Sequence, residues 1–237
     1  MSAPKLDFEH VLKAHQILRA DGEPFEVRYK NARGASSEWP GSIDALRKLL
    51  EKLDRPEIEG IWWSFQPLGA ETNGATKDAA IRLRRWLFLD MDRAVKSNSP
   101  ASFEELAALR SVFDSALAFL AGHNIVPRLF GNSGNGWHAY FRLVDWPNDE
   151  EHKTLVKSFL EMMAAKFNSP VAEVDTSVFN AGRVTKILGT VSRKGVATTD
   201  RPHRPTGVEG LHRVSLAGEL IVAVQQRARS WKRGHPS

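Results

Sequence analysis

The sequence predicts an α+β fold built on a β-α-β-β-α-β unit, and three observations carry that prediction. From residue 81 onward, strand-like apolar runs (83–92, 125–130, 137–144 and 171–178) are separated by two stretches of helical periodicity, 102–122 and 150–167. The first helix opens with Ser102 three residues before Glu105, a capping-box signature, and closes toward Gly122 as its C′ glycine. The two central strands are joined by Gly131-Asn-Ser-Gly-Asn-Gly136, a turn composition.

The elements before residue 81 form a mixed module. Phe8, Val11, Leu12, His15 and Leu18 fall at helical spacing, with Gly22 after the end. Phe25, Val27 and Tyr29 alternate as in a strand, which puts Glu26, Arg28 and Lys30 on its other face. Ser42 is placed as N-cap of a helix carrying Ile43, Leu46, Leu49, Leu50 and Leu53. Residues 58–65 read as an apolar strand whose Trp62, Trp63 and Phe65 go to the core, with room for one exposed ring. Residues 69–75 read as a surface loop. The chain is thus divided into an N-terminal αβ module (1–80), a core (81–225) and a basic C-terminal tail (226–237).

Side chains two apart in a strand share a face. Leu87, Leu89 and Met91 make one face of the first core strand, and Trp137, Ala139, Phe141 and Leu143 one face of the third. The opposite faces carry Asp90 and Asp92, and His138, Tyr140 and Arg142. Helices are expected to cover the apolar face and leave the polar one open. In this topology the spatial order is fourth strand, first, third, second. Asp175 then lies on one side of the aspartate pair and His138 on the other.

Composition narrows the chemistry. The chain has 237 residues, enough to bury a full core, with 42% apolar and 26% charged residues. No apolar run of about 18 residues and no basic start with an apolar stretch is present, so neither membrane insertion nor secretion is expected, and a cytoplasmic location is, nucleoid-associated in a bacterium. There is no cysteine, so disulfides and thiolate zinc sites are excluded and any metal is held by oxygen or imidazole. A net charge of +5 suits a polyanionic partner.

Three constellations carry chemistry. Two carboxylates about 4 Å apart repel by about 4 kcal/mol at an effective dielectric near 20, and a divalent cation relieves that. Asp90, Asp92 and Asp175 therefore form a candidate acid triad for two Mg²⁺ or Mn²⁺ ions; alone, Asp175 reads better as a satisfied strand-end residue. In Ser133-Gly134-Asn-Gly136-Trp-His138 the glycines let backbone N–H groups approach an anion and His138 follows on the acid-bearing face, although a plain hairpin has the same turn residues. Between Asn180 and Gly195, Arg183, Lys186, Arg193 and Lys194 can clamp a triphosphate, or form a solvated basic loop. Arg84, Arg85, Arg201 and Arg204 are candidate contacts to nucleic-acid backbone, as are Arg227, Arg229, Lys232 and Arg233 of the tail.

Taken together these motifs resemble the archaeo-eukaryotic primase superfamily, most closely the primase-polymerase domains of bacterial, phage and plasmid replication proteins. The likeness rests on Leu87-Phe-Leu-Asp-Met-Asp92, Ser133-Gly-Asn-Gly-Trp-His138, Val174-Asp175, Asp175-Thr-Ser-Val-Phe-Asn-Ala-Gly-Arg183, Gly189-Thr190, Arg193-Lys-Gly195 and Arg201-Pro-His-Arg204, spanning roughly residues 25 to 215. It implies a catalytic core with an RRM-like half and an N-terminal αβ module, the active cleft between them. It implies Asp90, Asp92 and Asp175 as catalytic metal ligands, and Ser133, Gly134, Gly136, His138, Asn180, Arg183, Lys186 and Lys194 as nucleotide-binding. Where relatives often have Asn-Pro before the core, this chain has Gln66-Pro67, and the Cys-based zinc module is absent.

The activity implied is template-dependent nucleotidyl transfer: primer synthesis on single-stranded DNA and extension from nucleoside triphosphates, with a replicative helicase as candidate partner. A gap-filling or damage-tolerant repair polymerase is the alternative. A non-catalytic RRM-like binder has no need of three acids on its open face. A nicking enzyme of the same topology needs paired histidines and a tyrosine nucleophile, but the chain has two tyrosines and no His-x-His.

Overall fold

The computed structural model describes residues 4–69 and 74–212. The sequence dictates most helix ends. Asp7 caps α1 (Phe8–Leu18) by accepting from the Glu9 and His10 amides. Ser42 caps α2 (Ile43–Leu53) through the Ala45 amide. The reciprocal Ser102–Glu105 capping box starts α3 (Phe103–Ala121), and Asp149 caps α4 (Glu150–Phe167). Gly122 is not the left-handed residue expected after α3: its φ is −61°, and Asn124 takes the left-handed conformation at φ 60°. An Asn side chain tolerates that region, so the chain turns two residues later.

Among the described residues, fifteen segments supply the sheets and helices, and the strands fall into two main sheets. The first contains β1 (Val27–Asn31), β2 (Gly34–Glu38) and β3 (Gly60–Ser64). The second contains β4 (Leu83–Asp92), β5 (Leu129–Asn132), β6 (Gly136–Pro147) and β7 (Glu173–Val174). Beyond them come β8 (Val184–Lys186), β9 (Val191–Ser192), β10 (Arg204–Pro205) and β11 (Gly207–Leu211). The larger sheet runs β11-β5-β6-β4-β7, which is the expected order with β11 added at one edge, and all its pairs are antiparallel. The smaller runs β2-β1-β3-β8, so the chain returns after the core to complete the N-terminal sheet; β9 and β10 pair separately.

Helices α3 and α4 cover the face of Leu87, Leu89 and Met91. Phe113 of α3 stacks on Trp137, ring centroids 5.8 Å apart. The other face is not left open. Trp86 and Phe88 share it with the aspartates, and two large aromatic rings require cover. Phe65, just past β3, packs on Phe88 and Tyr140 (5.3 and 6.1 Å), and His138, Tyr140 and Phe88 are all buried. Asp90 and Asp92, at one end of this face, stay partly exposed, as do Arg142 and Val144 at the other.

The strand expected over 171–178 shrinks to β7, because the Asp175 side chain caps a 3₁₀ turn over Thr176–Phe179. The second core strand starts at Leu129 rather than Ile125 and takes Gly131 and Asn132 from the expected turn. Residues 70–73 of the expected surface loop, and the basic tail with Arg227, Arg229, Lys232 and Arg233, lie outside the described residues.

Candidate active site

Strand register gathers the first constellation. Asp90 pairs with His138 and Asp92 with Gly136 across β4 and β6, while the Asp175 N–H donates to the Asp90 carbonyl at 2.9 Å. Asp90 therefore stands between His138 and Asp175, and Asp92 between Gly136 and Glu173. His138 Nε2 lies 3.3 Å from Asp90 Oδ1, yet that oxygen is buried and no donor meets it in hydrogen-bonding geometry. Burial, and then the charge of Asp90, push the Asp92 carboxyl up to about 6, against the pull of His138, Lys96 and Lys194. Gly136 permits the packing: a Cβ there would collide with Asp92 Oδ1 and the Met91 carbonyl.

The turn before Gly136 is pinned to β9. Gly134 has φ +91°, and a Cβ on it would strike Ser192. The Asn135 amide donates to Ser192 Oγ (2.9 Å) and its oxygen accepts from the Ala101 N–H (2.8 Å). Ser133 is thereby held, nearly buried, in the wall beside Asp90.

The two sheets enclose a cleft of about 680 Å³. Asp90, Asp92, Ser133 and His138 line one wall, and Arg28, Lys30, Trp62 and Lys186 line the other. Arg28, Trp62 and Lys186 are cross-strand neighbours in one register line. The fully buried carboxylate of Glu26 accepts twice from Arg28 (2.7 and 2.8 Å), and Lys30 pairs with Glu59 at 2.6 Å. Lys186 Nζ sits 3.9 Å from the Trp62 ring centre, in a space that a Cβ on Gly60 would close. Burial lowers the Lys186 ammonium to about 7, with Asp92 the foremost opposing charge. Burial also lowers Lys194, again opposed by Asp92.

Arg183 and Asn180 line the same cleft, their loop tied down by the Gly182 N–H donating to Asp78 Oδ1 at 2.8 Å. Asp175 is engaged elsewhere: Oδ1 accepts from the Ser177 amide and hydroxyl (2.8 and 2.6 Å), and Oδ2 faces Arg183 at 3.2 Å. Among the described residues no three His, Asp or Glu side chains close on one point as a ready metal cage. The Asp90–Asp92 pair nevertheless suits a hard cation. It offers oxygen donors, one of them an orphaned buried atom, and a carboxyl that burial and like charge leave reluctant to ionise.

The four arginines expected to meet nucleic acid do not gather at the cleft. Arg84 is 2% exposed and donates to the Phe179 carbonyl. Arg85 pairs with Glu23 and Asp145, Arg201 with Glu105, and Arg204 donates to the Ala101 carbonyl. Sequence reasoning missed the wall of Arg28, Lys30 and Trp62, and Thr185 beside it. The alternation of Glu26, Arg28 and Lys30 gave the correct polar face, but nothing local says that this face meets the aspartates. Trp62 is the one ring of its run left facing the cleft, while Trp63 and Phe65 are buried.

No family model and no curated protein matches the sequence. Solved structures do match the fold. The AEP domain of the cyanophage S-2L primase-polymerase aligns with TM-score 0.59 at 15% identity, over 93% of this chain and 100% of that one. The primase RepB' aligns with TM-score 0.55 at 12% identity, over 95% of this chain and 63% of that one, so the chain spans a little under two thirds of RepB'.

Proposed function

We propose, from the archaeo-eukaryotic primase fold that this chain has, that it is a template-dependent nucleotidyltransferase which makes primers on single-stranded DNA and extends them. One observation carries the reading: a paired, partly orphaned carboxylate site faces a cationic wall across a cleft of about 680 Å³. Pure binding of a polyanion gains nothing from acids at that point, whereas phosphoryl transfer needs both signs of charge.

Asp90 and Asp92, with Asp175, would hold Mg²⁺ or Mn²⁺. Such ions supply charge neutralisation of the phosphates and a lowered pKa for the attacking 3′-hydroxyl. His138, Ser133 and the Gly134–Gly136 amides would bind phosphate oxygens on one wall. Arg183, Lys186, Lys194 and Asn180 would bind them from the other elements of the cleft. Trp62, Arg28 and Lys30 extend the cationic wall toward the template strand. Residues 1–80 would supply most of that wall and residues 81–225 the acids. A replicative helicase remains a candidate partner.

Incubation of the full chain with unprimed single-stranded DNA, labelled ATP or dATP, and Mg²⁺ or Mn²⁺ tests the reading. Extended products that vanish in Asp90→Ala are expected. No incorporation with either ion, on primed or unprimed templates, would overturn it, and extension of primed or gapped DNA alone would select the repair polymerase.

A further inference from the structure

Thr185 lies on β8, which pairs with β3 of the smaller sheet, yet its hydroxyl reaches the larger one. Thr185 Oγ1 stands 2.6 Å from the Tyr140 hydroxyl and 3.2 Å from His138 Nδ1. The Tyr140 hydroxyl lies 3.4 Å from the same nitrogen. All three side chains are buried, and Phe88 meets the imidazole edge-on at 4.9 Å.

The shorter contacts favour one placement of the protons. Burial pushes the Tyr140 phenol well above its ordinary range, so it keeps its proton. Its short partner is Thr185 Oγ1; either hydroxyl can donate across that contact, and Tyr140 is assigned as the donor because Thr185 approaches Nδ1 more closely (3.2 against 3.4 Å). The Thr185 hydroxyl has one proton to donate in turn, and His138 Nδ1 is the acceptor within reach. A neutral imidazole with Nδ1 accepting carries its proton on Nε2, the nitrogen facing Asp90 Oδ1.

We propose that Thr185, backed by Tyr140, is a positioning residue that reserves His138 Nδ1 as an acceptor and turns Nε2–H into the cleft. The histidine of the acid wall is thus oriented by a strand of the opposite sheet. Its use toward a nucleotide phosphate rests on the function proposed above; the orientation itself does not.

Nitrogen-15 NMR of histidine-labelled full chain tests the orientation, with the His138 signals identified by their loss in His138→Gln. Nε2 is expected to be protonated, and Nδ1 unprotonated and shifted upfield of a bare nitrogen by its hydrogen bond. Tyr140→Phe should keep this pattern, because Thr185 still donates. The double variant Thr185→Val, Tyr140→Phe should move Nδ1 to the bare-nitrogen position, and Thr185→Ser in place of Thr185→Val should restore it. A wild-type proton on Nδ1, or a double variant with an unmoved Nδ1 signal, would overturn the proposal; the wild-type assignment decides even if the double variant does not fold. Calorimetry with inorganic tripolyphosphate adds a functional arm: because the Tyr140 hydroxyl, 3.4 Å from Nδ1, can stand in for Thr185, the double variant Thr185→Val, Tyr140→Phe should bind it about tenfold more weakly, the loss of one hydrogen bond to a charged group. Wild-type protein that binds no tripolyphosphate would count against the nucleotidyltransferase reading and leave the NMR result standing. Equal binding by wild type and the double variant would overturn the positioning role.

Discussion

The Arg183 guanidinium stands 3.2 Å from the Asp175 carboxylate at the lip of the cleft. A cation suited to phosphate is therefore paired with an acid suited to metal. Both are partly exposed, and an exposed pair contributes about 0–1 kcal/mol to folding. Arg183→Ala is expected to leave the melting temperature nearly unchanged while weakening tripolyphosphate binding about tenfold or more. Calorimetry beside a thermal melt checks both; equal affinity would remove Arg183 from the phosphate site.

The Asp90–Asp92 pair should limit stability in the absence of a divalent ion. A carboxyl whose folded pKa is raised above 3.8 stabilises the fold fully below that value, and the contribution is lost as pH rises through about 6. Denaturant titrations in chelator should therefore show stability falling across that window in wild type relative to Asp92→Asn. Adding Mg²⁺ or Mn²⁺ at neutral pH should recover it in wild type and not in the variant.

Gly136→Ala is expected to abolish nucleotide incorporation, because the added Cβ collides with Asp92 Oδ1 and the Met91 carbonyl. The overpacking should cost about 1–3 kcal/mol, short of unfolding the protein. A folded variant with normal activity would show that Asp92 need not lie against β6.

Glu105 supports the loop that follows the acids. It caps α3 and pairs with both Arg93 and Arg201, and the Arg201 hydrogen bonds lead in holding its carboxyl down to about 2. A depressed carboxyl stabilises above its unfolded value of 4.5, and the benefit is lost as pH falls through about 2. Glu105→Gln should lower the melting temperature at neutral pH, with the gap to wild type closing in acid. Ser102→Ala, at the same cap, should cost about 1 kcal/mol.

The core elements were legible because their signals are local. Alternation over 83–92 and the caps at Ser42 and Ser102 place β4, α2 and α3 within a residue of their observed bounds. Strand order places His138 on the strand beside the aspartates, and the register then pairs it with Asp90. Strand β2 was illegible: Gly34-Ala-Ser-Ser-Glu38 is short and polar, and it is a strand only because β1 pairs with it. The return of Val184–Lys186 to β3 was hidden for the opposite reason, since its pairing is long-range and its sequence reads as a basic loop. That one unseen pairing also concealed the closed face and the role of Thr185.

The late arrival of β8 has a consequence for synthesis. Until residues 184–186 leave the ribosome, β3 presents an unpaired edge carrying Ile61, Trp62 and Trp63. An apolar strand edge of that kind recruits other strands. A nascent chain therefore carries a sticky edge from the emergence of Ser64 to that of Lys186 and loses it only when the cleft itself is assembled. Ribosomes stalled before that point should release a chain prone to aggregate, and those stalled after it a chain with a closed sheet.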